Sequence, residues 1–179
     1  MKRQGDWAQT YTGKEFWPLD PRPNEVDIRD IAHALSLQCR FNGHCESFYS
    51  VAQHSILVSK LVRPSEALPG LLHDATEAYM GDIVRPLKIF LPNIKEIEEK
   101  LERVIFEHFG IGDYDRREVH HADNLALLME MRDLMKKPPR AWNEMKEYGN
   151  QIPVRRIRPF SPRKSEKLFL KRYQQLISK

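Results

Sequence analysis

Alternation of apolar and polar residues is nowhere sustained in this sequence beyond about four positions, so strands are not expected as its main elements. There is also no run of about 18 or more apolar residues, and a membrane-spanning helix is excluded on that ground. The opening MKRQGDWAQTYTGKEF lacks the apolar centre of a secretory signal, so a cytoplasmic location is the expectation. Cysteine is scarce. Cys39 and Cys45 form no metal-type or redox-type pair and read as reduced bystanders. No repeat or low-complexity tract appears. A chain of 179 residues is then expected to be one domain, long enough to bury a substantial core.

What the sequence does have is helical spacing punctuated by proline. FWPLDPRPNE (16–25) carries three prolines in ten residues and is not expected to be helical. In DIRDIAHALSLQ, Asp27 is placed as an N-cap, and Ile28, Ile31, Ala32 and Leu35 share one face. RFNGHCESFY reads as a loop. SVAQHSILVSKLV aligns Val51, Ser55, Val58 and Val62, with His54 beside the stripe, and ends before Pro64. Pro69 suits the first turn of a helix that continues through LLHDATEAYM and stops near Gly81. Asn93 is read as the cap of a 93–109 helix ended by Gly110. A further helix carries VHHADNLALLMEMRDLM, and the last begins at Ser161-Pro162. A short extended piece at IPVRRIR (152–158) is the one strand-like segment, and the expected fold class is all-α.

The net charge of +4 hides an asymmetry. Residues 155–179 hold nine Lys and Arg against the single acid Glu166, a net +8 that leaves −4 for the remainder. No RNA-binding pattern of interleaved aromatics accompanies these charges, so a solvated basic face is the expectation, rather than a nucleic-acid partner.

Four ionisable residues sit among the apolar stripes: His54, the adjacent His73 and Asp74, and Asp123, whose helical face also carries Ala126, Leu127 and Glu130. Burying any one of them charged and alone would cost roughly several kcal/mol. Convergence on a divalent cation removes that cost, because imidazole and carboxylate are both ligands for Mn, Co, Zn, Fe or Ni, with Mg also admissible. Four such ligands on an octahedral ion leave positions for water or a substrate oxygen.

In its order, this set resembles the metal-binding signature of the HD-domain phosphohydrolases, an all-helical superfamily. SVAQHS, LLHDATEAYMGDIVRPLK and HHADNLALLMEMRDL resemble the subgroup containing bacterial 5′-deoxynucleotidases and phage dATP triphosphohydrolases, over roughly residues 27–135. The resemblance implies a single HD-type helical bundle, with a Pro-rich N-terminal segment and a basic C-terminal helix packed on it. It further implies one metal held by His54, His73, Asp74 and Asp123, and a nucleotide substrate attacked at phosphorus by water. Glu77 and Asp82 match acidic motif positions and are assigned to proton handling. Arg40 and Phe41 match an Arg-aromatic pair that holds phosphate and base, with Phe where relatives often carry Trp. Arg85, Pro86 and Lys88 are further candidates for substrate contact, and a homo-oligomer is the family's habit. A second metal through His108, His120 or His121 is weighed and not favoured. Two alternatives stay open: a non-catalytic nucleotide- or metal-binding module, and a phosphodiesterase or alarmone hydrolase.

Overall fold

The Asp27 carboxylate accepts a hydrogen bond from the Arg29 backbone N–H at 3.0 Å and starts helix α1, Ile28–Leu37. A computed structural model describes residues 3–178 of the chain. Beyond α1 come α2 (Val51–Leu61), α3 (Ala67–Leu72), α4 (Glu77–Met80), α5 (Arg85–Lys88), α6 (Ile94–His108), α7 (Arg116–Leu134), α8 (Glu144–Tyr148) and α9 (Pro162–Ile177). The all-α expectation holds, and the chain forms one domain. No helix among the described residues is long and apolar enough to cross a membrane.

Several local expectations are corrected. Two short strands, β1 (Ala8–Gln9) and β2 (Glu15–Phe16), pair antiparallel with Ala8 opposite Phe16, around Gly13 at φ 83°. Strands of two residues are too short to show a period. Their anchor is tertiary: the buried carboxylate of Asp30 on α1 accepts from the Thr12 N–H at 2.7 Å and the Thr12 hydroxyl at 2.9 Å. Pro23–Glu25 form one turn of 3-10 helix inside the Pro-rich segment, where Pro23 occupies a first-turn position that needs no N–H. IPVRRIR pairs into no sheet, though Ile152 is extended; its chain is held by side chains, with the Ile157 N–H donating to Asp133 at 2.8 Å. Asn93 precedes α6, but in the left-handed region at φ 67°, and its side chain accepts no capping bond. The helix expected from Pro69 to Gly81 is broken: α3 ends at Leu72, residues 73–76 form turns, and α4 starts at Glu77.

The main core gathers Phe16, Ile31, Leu35, Leu71, Leu101 and Phe169, drawing on the hairpin, α1, α3, α6 and α9. A second cluster, Val58, Val62, Ala67, Val119, Ala122 and Ala126, seals α2 and α3 against α7. The α2–α3 crossing is close because position 70 is glycine. A Cβ there would meet Val62 Cγ2 at 3.2 Å and the Ser59 Cα at 3.4 Å. By contrast, α5 is a short outlying turn that leaves Leu87, Ile89 and Phe90 exposed around it.

Candidate metal centre

Each ligand candidate is positioned by an ordinary local device. The Ser50 hydroxyl caps α2 by accepting from the Gln53 N–H at 3.1 Å, which sets His54 in the first turn and fully buried. Asp115 caps α7 through the N–H groups of Arg117 and Glu118, and Asp123 and Glu130 follow on one face of that helix. His73 and Asp74 lie in the turn after α3, not on a helix. Backbone bonds from Ala75 N–H to Leu72 O and from Glu77 N–H to Asp74 O, both 3.0 Å, fix that turn.

Together these elements bring the four residues to one point. The ligand atoms of His54, His73 and Asp123 all lie within 4.8 Å of one another. His54 Nε2 stands 3.2 Å from His73 Nε2 and 3.2 Å from Asp123 Oδ1. Asp74 closes the group, with Oδ2 3.4 Å from His54 Nε2 and Oδ1 3.2 Å from His73 Nε2.

The outer nitrogens are already committed. His54 Nδ1 lies 2.7 Å from Glu130 Oε1, and His73 Nδ1 lies 3.0 Å from the Gly70 carbonyl. An acceptor on each Nδ1 requires the proton there, so in the neutral imidazoles both Nε2 lone pairs face each other. Two facing lone pairs between two carboxylates require a positive charge among them. A divalent cation fits, and Asp74 Oδ2, buried with no hydrogen-bond partner, is an orphan that a cation would satisfy.

The electrostatics point the same way. Burial and Arg40 push the His54 pKa down, but Glu130 and Asp123 outweigh them and raise it to about 9. Burial works against ionisation of Asp74 and Asp123 too, yet the facing imidazoles and Arg40 hold both well below the usual carboxylate range. With both carboxylates anionic, the group of His54, His73 and Asp123 could hold a metal ion.

Glu77 and Asp82 flank the centre. Burial, reinforced by the charges of Asp74 and Asp82, pushes Glu77 well above the ordinary carboxyl value, and its Oε2 is buried without a partner. Asp82, just past Gly81 at φ 84°, is also raised, by burial and by Asp74. A cleft of about 250 Å³ opens beside them, lined by His73, Asp74, Thr76, Glu77 and Lys88, with Glu98 and Glu102 of α6 opposite.

The candidates for substrate contact are placed less uniformly. Arg40 is nearly buried and bridges Asp74 Oδ2 at 3.5 Å and Glu130 Oε2 at 3.3 Å, so it braces the ligands from behind. Phe41 adopts φ 56°, unusual for a bulky residue, and its ring lies 5.3 Å from the Arg40 guanidinium and 6.3 Å from the Trp142 ring. Arg85 Nη2 donates to Asp123 Oδ2 at 2.8 Å, covering the face of that carboxylate away from His54. Lys88 lines the cleft and pairs with Glu98. Pro86 is exposed on α5, with no contact to the cluster recorded. The other histidines lie apart: His120 meets Asn124, His121 packs edge-on to Tyr148, and His108 is exposed at the end of α6.

Glu130 had no assigned role in the sequence beyond sharing a face with Asp123. In the fold it is fully buried, held ionised by His54 and Arg40 against the cost of burial, and it sets the His54 tautomer. Its seven-residue spacing from Asp123 was the available signal; its pairing with His54 was not visible.

No family model matches the chain. It is 36% identical over 123 residues to an uncharacterized protein of Rhodobacter capsulatus, covering 62% of this chain and 61% of that one. It is 45% identical over 128 residues to YfdR, an uncharacterized protein of Escherichia coli. That match takes in 72% of each chain, and this protein belongs to the YfdR family.

Proposed function

We propose that this protein is a metal-dependent phosphohydrolase of nucleotides, acting on deoxynucleoside 5′-phosphates. The observation that carries the reading is the pair of imidazole Nε2 atoms 3.2 Å apart, each Nδ1 committed elsewhere, enclosed by Asp74 and Asp123. Those four residues would hold one divalent cation, which when bound polarises a phosphoryl oxygen and lowers the pKa of a nearby water.

The chain's own groups supply the rest. Attack of water forms an O–P bond and releases a proton, which Asp82 can accept. The leaving oxygen needs a proton as its bond to phosphorus breaks, and Glu77, whose carboxyl pKa is pushed well above its ordinary value by burial and by Asp74, can donate one. Lys88, lining the cleft, and Arg85, beside Asp123, offer positive charge to the departing or retained phosphates. The acids of α6 opposite Lys88 favour entry of a substrate with its counter-cation rather than a bare polyanion.

The test is a panel of dNMPs, dNTPs and ribonucleotides with Mn²⁺- or Co²⁺-loaded protein, reading phosphate, pyrophosphate and triphosphate separately. Metal-dependent release from deoxynucleotides is expected. Asp74→Ala should lose both metal and hydrolysis, while Glu77→Gln should keep the metal and lose rate by about 10²-fold or more. Retained metal with no hydrolysis across the panel would replace this reading with a binding module.

A further inference from the structure

The arginines that open the basic C-terminal run take no part in the metal centre. Arg155, Arg156 and Arg158 line a separate cavity of about 310 Å³, together with Lys60 at the end of α2. Asp133 neutralises Arg156 at 2.6 Å. Among the described residues, no carboxylate lies within ion-pair distance of Lys60, Arg155 or Arg158. The pocket is short of negative charge: burial, then Arg155 and Arg172, push the Lys60 ammonium below its ordinary pKa.

Its walls are ordered and largely apolar. Gln53, Ile56, Leu57 and Lys60 recur at three- and four-residue intervals, so one face of α2 forms a side of the cavity. Phe160 and Ile157 add apolar surface, with Met129 buried beneath. Gln53 fixes the rim, donating to the Arg158 carbonyl at 2.9 Å and accepting from the Phe160 N–H at 2.8 Å. The cationic rim is therefore tied to the same helix that carries the floor.

We propose that this cavity is a second, metal-independent binding site for a small phosphorylated molecule with an apolar or aromatic portion. The unpaired cations suit phosphate oxygens, and the partly exposed Leu57, Ile157 and Phe160 suit the remainder of such a ligand. A pocket of about 310 Å³ with an apolar wall matches the size of a small molecule, while its exposed cations leave a polymer backbone as the alternative that the test must separate. The site stands whether or not the metal centre is hydrolytic, since its lining includes none of the four ligands.

Calorimetric titration of the chelator-treated full chain with inorganic pyrophosphate and with ADP tests it. Both should bind saturably with one site per chain, ADP the more tightly, and the Met129 methyl resonance should shift on addition. Lys60→Gln/Arg155→Gln should weaken both by about tenfold or more while leaving metal uptake unchanged. Absence of binding without metal, or binding unaffected by the double substitution, overturns the proposal. Preference for a short single-stranded oligonucleotide with the same dependence on Lys60 and Arg155 overturns it in favour of a nucleic-acid surface.

Discussion

At the scale of residues, the proposed metal would compete with a proton at His54. In the metal-free chain a proton on its Nε2 face supplies the positive charge that the two aspartates require, and its pKa rises to about 9. The folded value lies above the ordinary 6.5 of histidine. The stabilisation is therefore complete below about pH 6.5 and fades as pH climbs through about 9. Chelator-treated protein should show a Tm that falls across that window, and metal-loaded protein should show no such fall. A flat profile in chelator would contradict the assignment of that proton. The four candidate residues were legible because each is an ionisable residue set in an apolar stripe. Glu130 was not: its bond to His54 spans 76 residues of sequence, and no local pattern encodes a contact between two helices.

At the scale of elements, capping decided how well each helix could be read. Asp27 and Ser161 sit directly before amphipathic runs, and both accept the bonds their type suggests. Asp115 does the same for α7, four residues ahead of the start of VHHADNLALLMEMRDLM. Asp115→Ala should cost about 1 kcal/mol in denaturant unfolding through loss of that cap. Asp123, two turns further in, should keep its position, so metal affinity should be unchanged. The break at 73–76 was not legible, since LLHDATEAYM contains no proline or glycine to announce it. The backbone keeps right-handed helical angles at His73 and Thr76 but tightens to three-residue hydrogen bonds, Ala75 N–H to Leu72 O and Glu77 N–H to Asp74 O, a change with no residue signature. The hairpin and α5 escaped for a different reason, being shorter than any period that could reveal them.

For the whole molecule, the stretch from 27 to 135 holds the ligands but does not hold its own core. Phe16 from β2 and Phe169 from α9 are both fully buried in the main cluster, so segments far apart in sequence close it. Phe169→Ala should cost about 3–5 kcal/mol, by lost burial plus the cavity left behind. Added metal should recover part of that loss in Tm, because only the folded chain gathers four ligands at one point. A Phe169→Ala protein as stable as the parent would mean that α9 is peripheral. The composition foretold an all-helical domain; it could not foretell which distant aromatics would meet.

Gly70 does two things at once: it lets α2 and α3 approach, and its carbonyl aims His73. In a saturation mutagenesis screen scored on metal-dependent function, position 70 should therefore group with the histidines, although it offers the proposed metal no side chain. Gly112, with open space around it and no unusual backbone angle, should tolerate almost any replacement. A tolerance map of this family would then outline the metal centre together with the helix crossing beneath it, and the boundary between them would run through one residue without a side chain.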